Sequence, residues 1–100
     1  MKNLLVTGAA GGIGSEIATS ASKKGYRVGL IDQNSEKLKE VEAKIENSIS
    51  LPADITKEDS VNQALDLFGE TPDGLVNCAG IVRFGSLLDQ QVKDFEDVIN

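Results

Sequence analysis

The strongest constraint on the fold of this chain is a glycine-rich segment that joins a short apolar run to a helical pattern. Residues 4–6 are Leu-Leu-Val, and residues 7–14 are Thr-Gly-Ala-Ala-Gly-Gly-Ile-Gly. Glycine lets the backbone turn sharply and approach a ligand closely, and the start of a helix offers free N–H groups and a positive dipole end to an anion. The order strand, glycine turn, helix therefore predicts a phosphate-binding loop. The same segment taken alone also fits a plain turn.

Strand-like and helix-like segments alternate along the rest of the chain. Short apolar runs predict strands over residues 4–7, 26–31, 49–51 and 75–78. Helical spacing predicts a helix after each strand, with Gly25 ending the first, Thr56 as the N-cap of the third, and a fourth that begins near Val92. Parallel strands need long crossover connections, and these are right-handed. We therefore predict an α/β fold, a doubly wound, Rossmann-like parallel sheet in the order 3-2-1-4 with its ligand at the carboxyl ends of the strands.

Composition narrows the possible partners. The 100 residues carry 16 acidic and 10 basic side chains, which argues against nucleic acid or an anionic membrane as the main partner. Histidine, the commonest general base and zinc ligand, does not occur, and we predict no metal site. The only cysteine, Cys78, excludes an internal disulfide and is expected to be buried and inert. The first apolar run is too short for a signal peptide or a membrane span, so we expect a cytoplasmic protein in which residues 1–100 form one domain or a domain portion.

The glycine spacing resembles that of a known family. It fits neither the G-x-G-x-x-G pattern nor the P-loop, but reads Thr-Gly-x-x-x-Gly-x-Gly, with Thr7, Gly8, Gly12 and Gly14 at the fixed positions. This pattern resembles the short-chain dehydrogenase/reductase family, and relative to that family the sheet is expected to be incomplete. The further segments that agree are Asp32 at the end of the second strand, Asp-Ile-Thr at residues 54–56 and Asn-Cys-Ala-Gly at residues 77–80, where the family has Asn-Asn-Ala-Gly.

The resemblance implies a dinucleotide-binding site. Gly8 permits the turn out of the strand, Gly12 leaves room for the pyrophosphate, and Gly14 lets the helix pack closely on the sheet. The residues expected to form the site are Thr7, Gly8, Gly11, Gly12, Ile13, Gly14, Asp32, Asp54, Ile55, Asn77, Ala79 and Gly80.

Asp32 favours NAD over NADP. It follows Gly14 by 18 residues, close to the spacing of about 20 for the acid that binds the adenosine ribose hydroxyls. Its carboxylate would accept hydrogen bonds from both hydroxyls and repel a 2′-phosphate, and neither Gln33 nor the loop alanines offer that phosphate a basic side chain. The alternative is a turn or N-cap aspartate before the second helix, since Asp-Gln-Asn-Ser is turn-like.

The roles at the other strand ends come from the resemblance. Asp54 is expected at the adenine amino group, with the backbone of Ile55 at the ring edge, and a loop aspartate near a helix N-terminus is the alternative. Asn77 is expected to brace the strand ends, because a buried amide needs partners. Ala79 and Gly80 would leave space for ribose and nicotinamide.

No catalytic residue is expected within the chain. The family transfers protons with Tyr-x-x-x-Lys, whereas the sole tyrosine, Tyr26, has Leu30 four residues on. Asn100 lies near, but not at, the position of the family's helical asparagine. We therefore interpret the chain as the cofactor-binding portion of an NAD-dependent oxidoreductase, inactive alone, whose full-length parent acts on a small alcohol or ketone. The alternative is a free-standing nucleotide-binding or self-associating module without turnover. The apolar edge strand at residues 75–78 predicts a homo-oligomer.

Overall fold

Strands and helices alternate along residues 2–78, the part of the chain that the computed structural model describes. The elements are β1 (Asn3–Thr7), α1 (Gly12–Lys23), β2 (Arg27–Asp32), α2 (Ser35–Lys44), β3 (Ser48–Pro52), α3 (Glu58–Phe68) and β4 (Gly74–Asn77). The strands form a parallel sheet in the order β3-β2-β1-β4, which confirms the predicted doubly wound, Rossmann-like α/β fold. The predicted fourth helix lies outside the described residues.

Helices cover both faces of the sheet, because successive strand residues point to opposite faces. Leu4 and Val6 of β1 join a buried cluster with Ala18 of α1 and Leu38 of α2. The buried cluster on the opposite face contains Leu5, Ile31, Leu51, Val61, Ala64, Phe68 and Leu75. Helices α1 and α2 therefore lie on one face and α3 on the other, as right-handed crossovers in this strand order require.

The carboxyl end of α3 contacts β2 through Phe68 and Arg27. The Arg27 guanidinium lies 4.3 Å from the centre of the Phe68 ring and donates a hydrogen bond to the Phe68 carbonyl at 2.9 Å. Gly29 makes room on this face, since a Cβ there would lie 2.6 Å from a methyl carbon of Leu5 and 3.1 Å from the Phe68 ring. A cation at the negative end of a helix dipole and over an aromatic face is stabilising on both counts.

Strand β2 begins one residue later than predicted. The Tyr26 N–H donates to the carbonyl of Ala21 at 3.1 Å, so Tyr26 closes the end of α1 instead of joining the sheet. Gly25 takes a left-handed φ of 95° at the predicted end of the helix, a conformation that glycine adopts without steric cost.

The predicted N-cap of α3, Thr56, is wrong. The helix begins at Glu58, and Lys57 occupies the N-cap position without a side-chain hydrogen bond. The Thr56 hydroxyl instead donates to Asp54 Oδ1 at 2.5 Å, a local turn that competes with capping. Glu58 and Asp59 supply negative charge to the first turn of the helix instead.

The outer edge of β3 offers few donors to another strand. The Ala53 N–H donates to the Asp32 carbonyl at 3.0 Å. In this register the backbone N–H and C=O groups of odd-numbered residues point toward β2, and those of Ser48, Ser50 and Pro52 point away from the sheet. The Ser50 N–H already donates to Glu42 Oε2 of α2 at 2.6 Å, and Pro52 has no N–H. A carboxylate and a proline thus close this edge, two devices that natural sheets use against strand addition.

Candidate functional site

The glycine loop at the carboxyl end of β1 is shaped by two glycines. Gly8 adopts a left-handed φ of 67°, which turns the chain out of the strand. A Cβ on Gly14 would lie 2.2 Å from the Gly8 carbonyl oxygen and 3.0 Å from the Cα of Ala9. The first turn of α1 therefore rests directly on the loop, and a side chain at Gly14 has no space.

The loop is docked onto the end of β2. The Ala9 N–H donates to the Ile31 carbonyl, and the Ala10 N–H donates to Asp32 Oδ2, both at 3.1 Å. The Gly11 N–H donates back to the Gly8 carbonyl at 3.1 Å. The N–H groups of residues 9–11 are thus hydrogen-bonded within the protein.

The next three N–H groups, those of residues 12–14, begin α1. The first helical bond is donated by Ser15 to the Gly11 carbonyl, and the amides of residues 12–14 have no acceptor within residues 2–78. The N-cap, Gly11, contributes no side-chain bond, and the first turn of α1 carries no acidic residue. Three backbone donors at the positive end of a helix dipole form an anion-binding position.

The surface around these donors is open. A Cβ on Gly12 would meet no other element of residues 2–78 within 4 Å, so the part of the chain that the structure describes leaves this space open to a ligand. Ile13, whose spacing with Ile17 and Ala21 is that of an apolar helix face, is 73 % exposed. An exposed isoleucine beside free N–H groups fits its predicted place in the site, and its sequence spacing gave no sign of this exposure.

Asp32 lies at the carboxyl end of β2 with both carboxylate oxygens engaged by backbone. Oδ2 accepts the Ala10 N–H, and Oδ1 accepts the Asn34 N–H at 3.1 Å. The side chain that caps α2 belongs to Asn34, which accepts the Lys37 N–H at 3.1 Å. Asp32 is therefore a turn residue and not the N-cap. Since a carboxylate has about four acceptor positions, two remain beyond these backbone bonds.

Asp54 lies at the neighbouring strand end and is held by its own turn. Its Oδ1 accepts both the hydroxyl and the N–H of Thr56, at 2.5 and 2.9 Å. These two bonds place the pKa of the Asp54 carboxyl below its ordinary value. The side chain of Ile55 is buried in the core beneath α3, so only its backbone is available to a ligand.

Thr7 joins the carboxyl ends of β1 and β4. Its side chain is fully buried, and its hydroxyl donates to Asn77 Oδ1 at 2.8 Å and accepts the Cys78 N–H at 3.1 Å. Thr7 therefore positions Asn77 from behind the site. The only sign of this role in the sequence was a threonine at the end of an apolar strand.

Cys78 was expected to be buried, but the structure shows it half-buried. This partial burial raises the pKa of the thiol. A raised thiol pKa favours the unreactive protonated form. The remaining predicted site residues, Ala79 and Gly80, lie outside the described residues.

Within residues 2–78 the structure shows neither a membrane-spanning helix nor a cluster of metal ligands. The helices α1, α2 and α3 are each too short to span a bilayer. No group of three or more Cys, Asp or Glu side chains in the same range could hold a metal ion.

The sheet order, the glycine loop and the acidic residues at the strand ends define a Rossmann-like nucleotide-binding class of protein. A sequence model of the short chain dehydrogenase family matches residues 2–100. The chain belongs to this short-chain dehydrogenase/reductase family.

Similar proteins include Dehydrogenase/reductase SDR family member 6 of Danio rerio, which is 36% identical over 99% of this chain and 40% of its own length. A 3-ketoacyl-(acyl-carrier-protein) reductase from Brucella melitensis complexed with NADH is 32% identical, with a TM-score of 0.64 over 74% of this chain and 32% of the other. A metagenomic short-chain oxidoreductase in complex with NADP is 34% identical, with a TM-score of 0.69 over 80% of this chain and 39% of the other. The chain spans less than half the length of the curated relatives it matches.

Proposed function

We propose that this chain supplies the dinucleotide-binding part of an NAD-dependent oxidoreductase. The observation that carries the proposal is the cluster of three backbone N–H groups at residues 12–14, which lack an acceptor within residues 2–78 and open onto the space at Gly12. The pyrophosphate of a dinucleotide is an anion of the right kind for these donors. When bound, the nicotinamide ring supplies hydride chemistry to the parent enzyme.

The residues around the loop would orient the rest of the dinucleotide. Asp32 would accept the adenosine ribose hydroxyls through its two remaining acceptor positions, and Asp54 with the Ile55 backbone would face the adenine ring. Thr7 and Asn77 would hold the carboxyl ends of β1 and β4 together beneath the nicotinamide half. Each assignment follows the family resemblance and is supported by the position of the residue at a carboxyl end of the sheet.

The preference for NAD over NADP rests on Asp32, because solved structures of similar proteins contain either cofactor. We expect isothermal titration calorimetry of the chain to give a lower dissociation constant for NAD than for NADP, by about tenfold or more, since NAD gains charge-assisted hydrogen bonds that a phosphate forfeits. Equal affinities for NAD and NADP would contradict the preference. An absence of binding to both would contradict the proposed function itself.

Proton transfer is assigned to no residue of this sequence. Tyr26 is followed four residues on by Leu30 where the family has lysine. The Tyr26 N–H bonds to the carboxyl end of α1, the end of that helix opposite the glycine loop. We therefore propose the oxidation of an alcohol or the reduction of a ketone only for a full-length parent enzyme. The cytoplasmic location stays a prediction.

We also expect the isolated chain to form a homo-oligomer. Within the described residues β4 pairs with β1 alone, and its other side carries the backbone groups that strand pairing requires. Sedimentation velocity at micromolar concentration should show a dimer, the commonest closed assembly. A stable monomer over this concentration range would contradict the prediction.

A further inference from the structure

The face of the sheet that carries α1 and α2 has an open groove beside α1. Val76 of β4 lies on this face and is half-buried, whereas Leu75, on the opposite face beneath α3, is 3 % exposed. Leu4, Val76, Ile17 of α1 and Tyr26 line the groove, whose volume is about 760 Å³. We call this space the α1–β4 groove. Among the described residues, no helix covers β4 on this side.

The connections of the sheet explain why this groove is open. Helices α1 and α2 join strands that follow one direction across the sheet, from β1 to β3, and α3 returns the chain to β4 on the opposite face. A right-handed crossover from β4 to a further strand beside it would also lie on the face of α3. The predicted fourth helix is therefore not expected to cover the groove, and its occupant is expected to come from elsewhere.

The charges around the groove are balanced, in contrast to those of the whole chain. Four charged residues line it, Lys2, Glu16, Lys24 and Asp73, two of each sign, whereas the chain carries a formal net charge of -6. Repulsion between like charges opposes the association of two acidic chains. The groove is therefore a face at which a second copy meets no net repulsion.

The charges along α1 are also placed for a two-fold contact. Glu16, Ser20 and Lys24 all line the groove, and they follow one another at four-residue intervals along α1 and its C-cap, a spacing that puts them on one side of the helix. In an antiparallel pair of α1 helices crossing at Ser20, Glu16 of each copy would stand opposite Lys24 of the other. Within one copy these two residues are about 12 Å apart along the helix axis, so they pair only between copies.

We propose that a second copy of this chain covers the α1–β4 groove in a two-fold pair, with the two α1 helices antiparallel and crossing at Ser20. Each α1 then lies over the open side of the other copy's β4, and Val76 becomes buried. The pair is closed, because both copies use the same patch. It is a different contact from the strand pairing expected above, since it uses a helix face and leaves the backbone groups of β4 free. It also does not depend on dinucleotide binding.

Ser20→Cys in a Cys78→Ser background tests the crossing point. Two cysteines at this crossing would come within the Cα separation of about 4.4–6.8 Å that a disulfide requires, so mild oxidation of the folded chain should convert most of it into a covalent dimer. Asn62→Cys in the same background is the control, because Asn62 is an exposed residue of α3 on the opposite face. Equal yields of covalent dimer from the two variants would overturn the proposal.

Glu16→Lys and Lys24→Glu test the pairing of charges. Each single substitution replaces two attractions by two contacts between like charges, so the dimer dissociation constant from sedimentation velocity should rise by about tenfold. The variant with both substitutions restores opposite charges between the copies, and its dissociation constant should return to within about twofold of the original. Circular dichroism checks that each variant keeps its fold. A double variant that associates as weakly as the single variants would overturn the proposal.

The remaining outcomes separate this contact from other modes of association. A dimer that neither crosslinks through position 20 nor responds to the charge substitutions would overturn the proposal and leave pairing at β4 as the basis of the oligomer. A monomer throughout the micromolar range would overturn both this proposal and the predicted homo-oligomer. Neither result would bear on the proposed function, which calorimetry with NAD tests separately.

Discussion

Gly12→Val is expected to abolish dinucleotide binding while the chain stays folded. A Cβ at Gly12 would meet no other element of residues 2–78 within 4 Å, and valine is more favourable than glycine in a helix, so we expect the fold to tolerate the change. The branched side chain would fill the space in front of the amides of residues 12–14, and the pyrophosphate could no longer approach them. Calorimetry should show at least a hundredfold loss of NAD affinity, about 3 kcal/mol.

Ser20→Val is the matched control for this substitution. Ser20 is an exposed residue of the same helix, remote from the loop, and the same side chain there should leave NAD affinity unchanged. Circular dichroism spectra of both variants should match that of the unmodified chain. Undiminished NAD binding by a folded Gly12→Val variant would mean that the loop is a plain turn.

Gly14→Ala is expected to destabilise the fold by about 3 kcal/mol. The new methyl group would lie 2.2 Å from the Gly8 carbonyl oxygen, and this atom is backbone, so no side-chain rotation relieves the clash. Either α1 moves away from the loop or the turn at Gly8 is distorted, and both changes loosen the cluster that joins β1 to α1. Urea denaturation followed by circular dichroism would measure the difference in the free energy of unfolding.

Gly12→Ala makes the same chemical change two residues earlier in the helix and serves as its control. Because that position is open, alanine should be neutral or stabilise the fold by up to about 1 kcal/mol, the usual gain over glycine inside a helix. Gly14→Ala with the stability of the unmodified chain would contradict the close packing of α1 on the glycine loop.

The sequence was sufficient to predict the layout of the sheet. Each apolar run was short, each was followed by a longer amphipathic stretch, and parallel strands with right-handed crossovers leave few arrangements. Gly8 and Gly14 could also be assigned from spacing, because a turn and a helix contact at fixed offsets demand residues without a Cβ. These features depend on local geometry, which a single segment of sequence encodes.

Individual hydrogen bonds could not be predicted from the sequence, above all those between distant segments. Nothing in the order Ala9-Ala10 indicates that the Ala10 N–H reaches Asp32, which is 22 positions away, since this contact exists only once the loop docks on β2. Thr56 failed as an N-cap for a local reason, because the carboxylate of Asp54, two residues earlier, competed for its hydroxyl. Backbone donors and short polar side chains have several possible partners, and tertiary packing decides among them.

The two edges of the sheet differ in how readily they can pair with a further strand, because the outer edge of β3 is largely closed. Glu42 satisfies the Ser50 N–H and Pro52 offers no donor, so an incoming strand would find at most the Ser48 N–H on that side. Backbone pairing with another segment or another copy is therefore favoured at β4 over β3. Each strand added at β4 lies further from α2. The glycine loop on β1 then stays in the interior of the extended sheet, beside the point where the connections change direction.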